Sequence, residues 1–271
     1  MMNPTKQPQP MTAEQLPASV YATEPWQGVG HTYKFLPTIE VVRALGDNGI
    51  HPYLAKATKT RIDGKRGYTK HMLRFRAENA VAMPGEVFPE IVLTNAHDTA
   101  SSFRIDLGLF RLVCMNGLVT SYGMASRYRV RHVGSTVEDV LENVRLAMGE
   151  FPRLGDTVLN MQAKLLNEQA RQSFAHAASL LRWDSDKAPF EASLLLITRR
   201  PEDEEPTLWN VYNTVQENLL TGQRIRTFGP SFRGYRTRTQ TTREVQSIDK
   251  SMDLNNGLWK LANEYAELAT V

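Results

Sequence analysis

The chain has 271 residues, 41% hydrophobic, 23% charged and 8% aromatic, with one cysteine and a formal charge of +3. Those proportions describe one large folded domain or two small ones and exclude wholesale disorder. Cys114 lacks a partner for an intrachain disulfide, so a reducing, cytoplasmic setting is expected, and no apolar run approaches membrane-spanning length.

Residues 1–25, with prolines at positions 4, 8, 10, 17 and 25, read as a flexible leader without the apolar core of a secretory signal. Pro37 opens a short helix through Leu45, ended by Gly46 or Gly49. Extended segments are predicted over 51–62 and 67–77, joined by a hairpin turn at Asp63–Gly67. A third covers Glu90–Ala96, and further strand-like pieces cover 101–107, 117–122 and 126–133. Phe110–Cys114 fits either a helical turn or a buried strand. Beyond Gly134 the pattern turns helical, with Ser135 or Thr136 as cap. Helices are predicted to Met148, over 155–182 with one break, around Leu194–Ile197, from Thr207 to Leu220, and over 246–268. Strands first and helices second indicate an α+β fold, an N-terminal antiparallel sheet with a short leading helix and then a mainly helical half. The expected organisation is a leader (1–25), a β-rich part (26–134) and a helical part (135–271) with a basic loop at 221–243.

The small net charge conceals a separation of sign. Residues 51–77 carry eight bases against Asp63 alone, 127–133 carry three arginines, and 218–243 carry six, the last two without an acid. These segments total +16, which leaves −13 on the rest. Such separation builds a local positive potential.

Alternate residues of a strand share a face. Tyr68, Lys70, Met72, Arg74 and Arg76 therefore form a cationic strip, opposite the core set Thr69, His71, Leu73 and Phe75. Arg127, Arg129 and Arg131 repeat the alternation. A planar guanidinium donates two hydrogen bonds to phosphate, so both strips suit a nucleic-acid backbone. The loop segment interleaves Arg224, Arg226, Arg233, Arg236 and Arg238 with Phe228, Phe232 and Tyr235. Arginines on phosphates and aromatics under bases are what single-stranded nucleic acid requires.

Asn95, His97 and Asp98 form a compact polar group after a buried-looking strand, best read as a hydrogen-bonded turn. The other histidines show no ligand spacing, so no metal is expected. Cys114 beside Leu112 and Val113 reads as core, not as a nucleophile. Gly28-Val29-Gly30 is too short and wrongly flanked for dinucleotide binding, and no phosphate-binding GxxxxGK[ST] occurs, so no cofactor is expected.

Several blocks in order resemble the phage/plasmid-like family typified by YfjQ, YafZ and YubP, a domain of unknown function. They are Thr69–Arg74, Pro89–Leu93 running into Asn95–Asp98, Phe110–Leu118, Val130–His132, Val215–Leu219 and Asn256–Trp259. The resemblance covers about 30–268. Ala96 stands where that family usually has serine, and Thr99 where it often has glycine. It implies a mobile-element context, among genes for DNA handling and evasion of host defence, and supplies no catalytic residue. The expected function is nucleic-acid binding, single-stranded DNA favoured, in recombination, annealing or DNA protection, with a homo-oligomer as partner state. The alternatives are an interaction protein that blocks a host defence factor, and a hydrolase or nuclease centred on His97, Asp98 and Cys114.

Overall fold

Pro37, with φ at −63°, delivers the chain into α1, Thr38–Asp47, whose Val41 and Leu45 lie one turn apart and are fully buried. The computed structural model describes residues 9–30, 33, 35–111, 117–120, 129–130, 136–184, 187–222, 224–231 and 234–268. The chain divides into two units, Met1–Gly155 and Asp156–Val271.

In the first unit, α1 leads into β1 (Ile50–Ala57), β2 (His71–Ala77), β3 (Val87–Asn95), β4 (Phe103–Arg111) and β5 (Gly117–Thr120). These strands form an antiparallel sheet in sequence order, and the short β6 (Arg129–Val130) also pairs with β4. Leu73 and Phe75 of β2, Ile91 and Leu93 of β3, and Ile105 and Leu109 of β4 are buried. Each such side chain contributes about 2 kcal/mol of burial. α2 (Val137–Met148) also packs on β3 and β4. Its start is fixed by a reciprocal cap, in which Thr136 Oγ1 accepts from Asp139 N–H (3.2 Å) and Asp139 accepts from Thr136 N–H (2.8 Å).

Two local expectations change here. The connection between β1 and β2 is no tight turn: it runs from 58 to 70, closed by Thr58 N–H donating to Lys70 O at 2.8 Å. Gly64 takes φ +75° within it, before a 3₁₀ turn at Lys65–Gly67. The proline-rich opening carries structure from residue 9 onward. It makes 3₁₀ turns at Ala13–Gln15 and Ala18–Tyr21, buries Leu16 and Val20, and donates Met11 N–H to Pro52 O at 2.7 Å.

α3 (Phe151–Ala163) begins in the first unit and continues into the second. There follow α4 (Glu168–Leu180), α5 (Leu208–Leu220), β7 (Arg224–Ser231), β8 (Gly234–Thr241) and α6 (Ile248–Glu267). The predicted break within 155–182 falls just before Asn167, which caps α4 by accepting Ala170 N–H at 2.8 Å. α5 is buried along nearly all its length, polar residues included. Gln216 Nε2 donates to Asn255 Oδ1 of α6 (2.6 Å), and Asn218 Nδ2 donates to Leu195 O and Ile197 O (both 2.9 Å). Trp209, Tyr212 and Trp259 pack as one aromatic group between α5 and α6. Gly257 admits Leu181 against α6, since a Cβ there would lie 3.1 Å from a Leu181 methyl.

The arginine-rich segment is corrected from loop to antiparallel hairpin. Arg226 pairs with Thr239, Thr227 with Arg238, Phe228 with Thr237, and Gly229 with Arg236. The alternation Arg236-Thr237-Arg238-Thr239-Gln240-Thr241 is itself a strand pattern. The α+β order of the whole, sheet first and helices second, is as the sequence predicts.

Candidate nucleic-acid interface

Arg74 and Arg76 share a face of β2, as alternation requires, but that face is covered. The two side chains are 5% and 3% exposed and converge on Glu90 of β3. Arg74 Nε donates to Glu90 Oε2 at 2.5 Å, its Nη2 meets the same oxygen, and Arg76 Nη2 donates to Oε1 at 2.8 Å. The Arg76 guanidinium lies 4.5 Å from the Phe88 ring and 4.6 Å from the Tyr53 ring. The open cationic strip is therefore corrected to a buried ion-pair centre. β2 runs between β1 and β3 and is buried on both faces, so its charges need internal partners. Lys70 lies half-buried just before the strand. Arg129 pairs in register with Arg104 through β6, whereas Arg127, Arg131 and Cys114 lie outside the described residues. Of the hairpin set, Arg224, Arg226 and Phe228 occupy β7 and Tyr235, Arg236 and Arg238 occupy β8. Phe232 and Arg233 lie outside the described residues.

Asn95, His97 and Asp98 end β3 in a buried clasp. Thr38 Oγ1 of α1 meets His71 Nε2 at 2.9 Å, His97 Nε2 at 3.3 Å and Asn95 Nδ2 at 3.0 Å. Thr38, His71, Asn95 and His97 have no exposure at all. His97 packs at a tilt against Phe35, with ring centres 4.8 Å apart. Burial, and then the neighbouring His97, pushes His71 down to about 3. Asp98 turns to Lys65 Nζ at 2.9 Å. Tyr33 donates to Ala96 O at 3.2 Å, and burial followed by the Asp98 charge pushes its phenol up to about 12. The clasp joins α1, β2, β3 and the β1–β2 connection. Among the described residues, no group of three or more His, Cys, Asp or Glu is placed to hold a metal ion.

A group of exposed cations of the first unit lies in and beside that connection. Lys56, Lys59, Arg61 and Arg66 are all exposed. A groove of about 730 Å³ runs between Leu16–Ala18, where the first 3₁₀ turn passes to the second, and the edge formed by Ala57–Thr60, Arg66 and Thr69. Its rim carries two cations and three hydroxyls, and among the described residues no carboxylate lines it. Such a lining can accept an anionic backbone, the hydroxyls and cations donating to phosphate oxygens. Trp26 and Tyr68 pack together nearby, ring centres 5.1 Å apart, with Gly64 against Trp26. Alternation pointed to the strand and missed these residues. The available signal was the run from His51 to Ile62, which holds three bases and no acid.

A family model described as a domain of unknown function (DUF932) matches residues 25–259. The UPF0380 protein YafZ of Escherichia coli (strain K12) is 36% identical over 263 residues, covering 96% of this chain and 93% of its own. The UPF0380 protein YfjQ of the same strain shows the same identity and coverage. No solved structure matches the chain. No helix among the described residues is long and apolar enough to cross a membrane.

Proposed function

The chain belongs to the DUF932 family, and we propose that it binds nucleic acid, single-stranded DNA in preference, as an accessory protein of a mobile genetic element. The observation that carries this reading is the groove of the first unit, edged by Lys59 and Arg66 beside Lys56 and Arg61 and lined by no carboxylate among the described residues. Cations exposed around a groove hold phosphates and release counterions, a force indifferent to sequence. The preference for single strands rests on the hairpin, where five arginines alternate with Phe228, Phe232 and Tyr235 across 224–238. Recombination, annealing or protection of incoming DNA is the work such a surface serves, and annealing implies a homo-oligomer.

The test is binding of labelled single- and double-stranded oligonucleotides across a salt series. Affinity that falls steeply with salt, stronger for single strands and weakened in Lys59→Ala/Arg66→Ala, supports the reading. No binding at low salt overturns it. Alanine at Phe228, Phe232 and Tyr235 separates base stacking from a charge-only interface with an acidic protein. Stacking demands a loss of oligonucleotide affinity there.

A further inference from the structure

In the second unit, a cleft of about 570 Å³ lies where the C-terminal end of α4, the residues after β8 and the first turn of α6 meet. Its fixed element is Arg182. Nη1 donates to Leu219 O and Nη2 to Arg243 O (2.5 Å), while the guanidinium packs 4.8 Å from the Trp183 ring centre. Trp183 is itself braced edge-on by Phe190 at 5.5 Å. The Arg182 bonds therefore go to backbone carbonyls, which orient the fork and leave its charge uncancelled. Partial burial lowers its pKa from the usual guanidinium value, the mark of a cation withdrawn from water. Arg243 and Lys250, both exposed, line the same cleft. Glu244 and Asp253 line it too, so the five charged groups sum to +1.

We infer that this cleft is a phosphomonoester site, with Arg182 as its oriented donor and Arg243 and Lys250 as its mobile cations. A phosphomonoester carries nearly two negative charges at neutral pH and three strong acceptor oxygens, matching three cations that approach from different elements. A phosphodiester presents only two terminal oxygens and so leaves one of the three cations without an acceptor. Arg243 stands two residues beyond the end of β8, so the cleft continues the arginine-rich hairpin along the chain. The chemistry has two sources, free phosphate and the phosphorylated end of a nucleic-acid strand. Only the second rests on the nucleic-acid reading above.

The experiment uses the full chain. Inorganic phosphate is titrated while the Trp183 indole N–H signal is followed in ¹⁵N-labelled protein. In parallel, binding of one oligonucleotide with a 5′-phosphate and with a 5′-hydroxyl is compared at fixed salt. The expected results are a saturable Trp183 shift and about tenfold tighter binding of the phosphorylated strand, the effect of one charge-assisted hydrogen bond. Both are lost in Arg243→Ala/Lys250→Ala, whose substitutions fall on exposed side chains and keep the Arg243 carbonyl that anchors Arg182. A phosphate-induced shift without strand discrimination supports the site and assigns it to free phosphate. A shift with neither strand bound supports the site while overturning the nucleic-acid reading. No shift with equal strand affinities overturns the inference, as does a preference that persists in the double variant.

Discussion

His71 Nε2 lies 2.9 Å from Thr38 Oγ1, tying the second strand to the first residue of the leading helix. The protons around this contact can be placed by elimination. His71 Nδ1 faces Thr69 O at 3.3 Å, and a carbonyl only accepts, so that nitrogen carries the ring hydrogen. With His71 neutral, Nε2 accepts the Thr38 hydroxyl proton. Asn95 Nδ2 and His97 Nε2 then donate to the two Thr38 lone pairs, and the hydroxyl is saturated.

A pH dependence follows from that arrangement. The folded chain holds His71 neutral down to about 3, whereas the unfolded chain protonates it near 6.5. The unfolded state thus binds the extra proton in between. The contribution is complete above pH 6.5 and lost as pH falls through that window. Urea unfolding from pH 8 to pH 4 is expected to show stability falling by up to ~1.4 kcal/mol per pH unit below the upper limit. In His71→Gln that component of the slope disappears. An unchanged slope would sink the assignment.

Glu90→Ala removes the carboxylate that pairs with two buried guanidinium groups. Loss of one partner from a buried pair costs about 3–5 kcal/mol, whereas an exposed change such as Arg66→Ala stays within about 0.5 kcal/mol. Chemical denaturation of the two variants measures the contrast. Equal, small effects would show that Arg74 and Arg76 are not held as described.

Thr99 takes φ +65°, a left-handed conformation that disfavours its branched side chain. This is the position where the sequence resemblance leads one to expect glycine. Thr99→Gly is therefore expected to stabilise the protein by about 1 kcal/mol, read as a rise in thermal midpoint. A fall would show that the Thr99 hydroxyl bond to Asp98 O outweighs the strain.

Arg200 clasps two buried carboxylates, Asp203 at 3.0 Å and Glu217 at 2.7 and 2.8 Å. Arg200→Ala is expected to cost about 3 kcal/mol or more, and Arg200→Lys to recover little of it, because the ammonium lacks the fork that spans both oxygens. Full recovery by lysine in a urea titration would argue for charge alone.

Helix positions were legible because caps and apolar spacing are local signals, as Thr136 and Thr207 illustrate. The interior of the sheet was legible too, through Leu73, Phe75 and Ile91. The fate of Arg74 and Arg76 was not. Alternation tells which residues share a face, but whether the face is covered depends on Glu90, Phe88 and Tyr53 arriving from other strands. Lys59 and Arg66 were visible only as charge, since their place beside Leu16–Ala18 depends on where the opening segment packs. The hairpin at 224–241 was hidden by reading its glycines and proline as breakers while threonine alternation continued through β8.

The amide pair Gln216–Asn255 constrains how this family can vary. Gln216 Nε2 donates to Asn255 Oδ1 where no water reaches, at 1% exposure apiece. An apolar replacement of either alone strands a polar group, while a matched apolar replacement of both leaves nothing to satisfy. Positions 216 and 255 therefore form one heritable unit, and in a collection of relatives they should change together or stay fixed together.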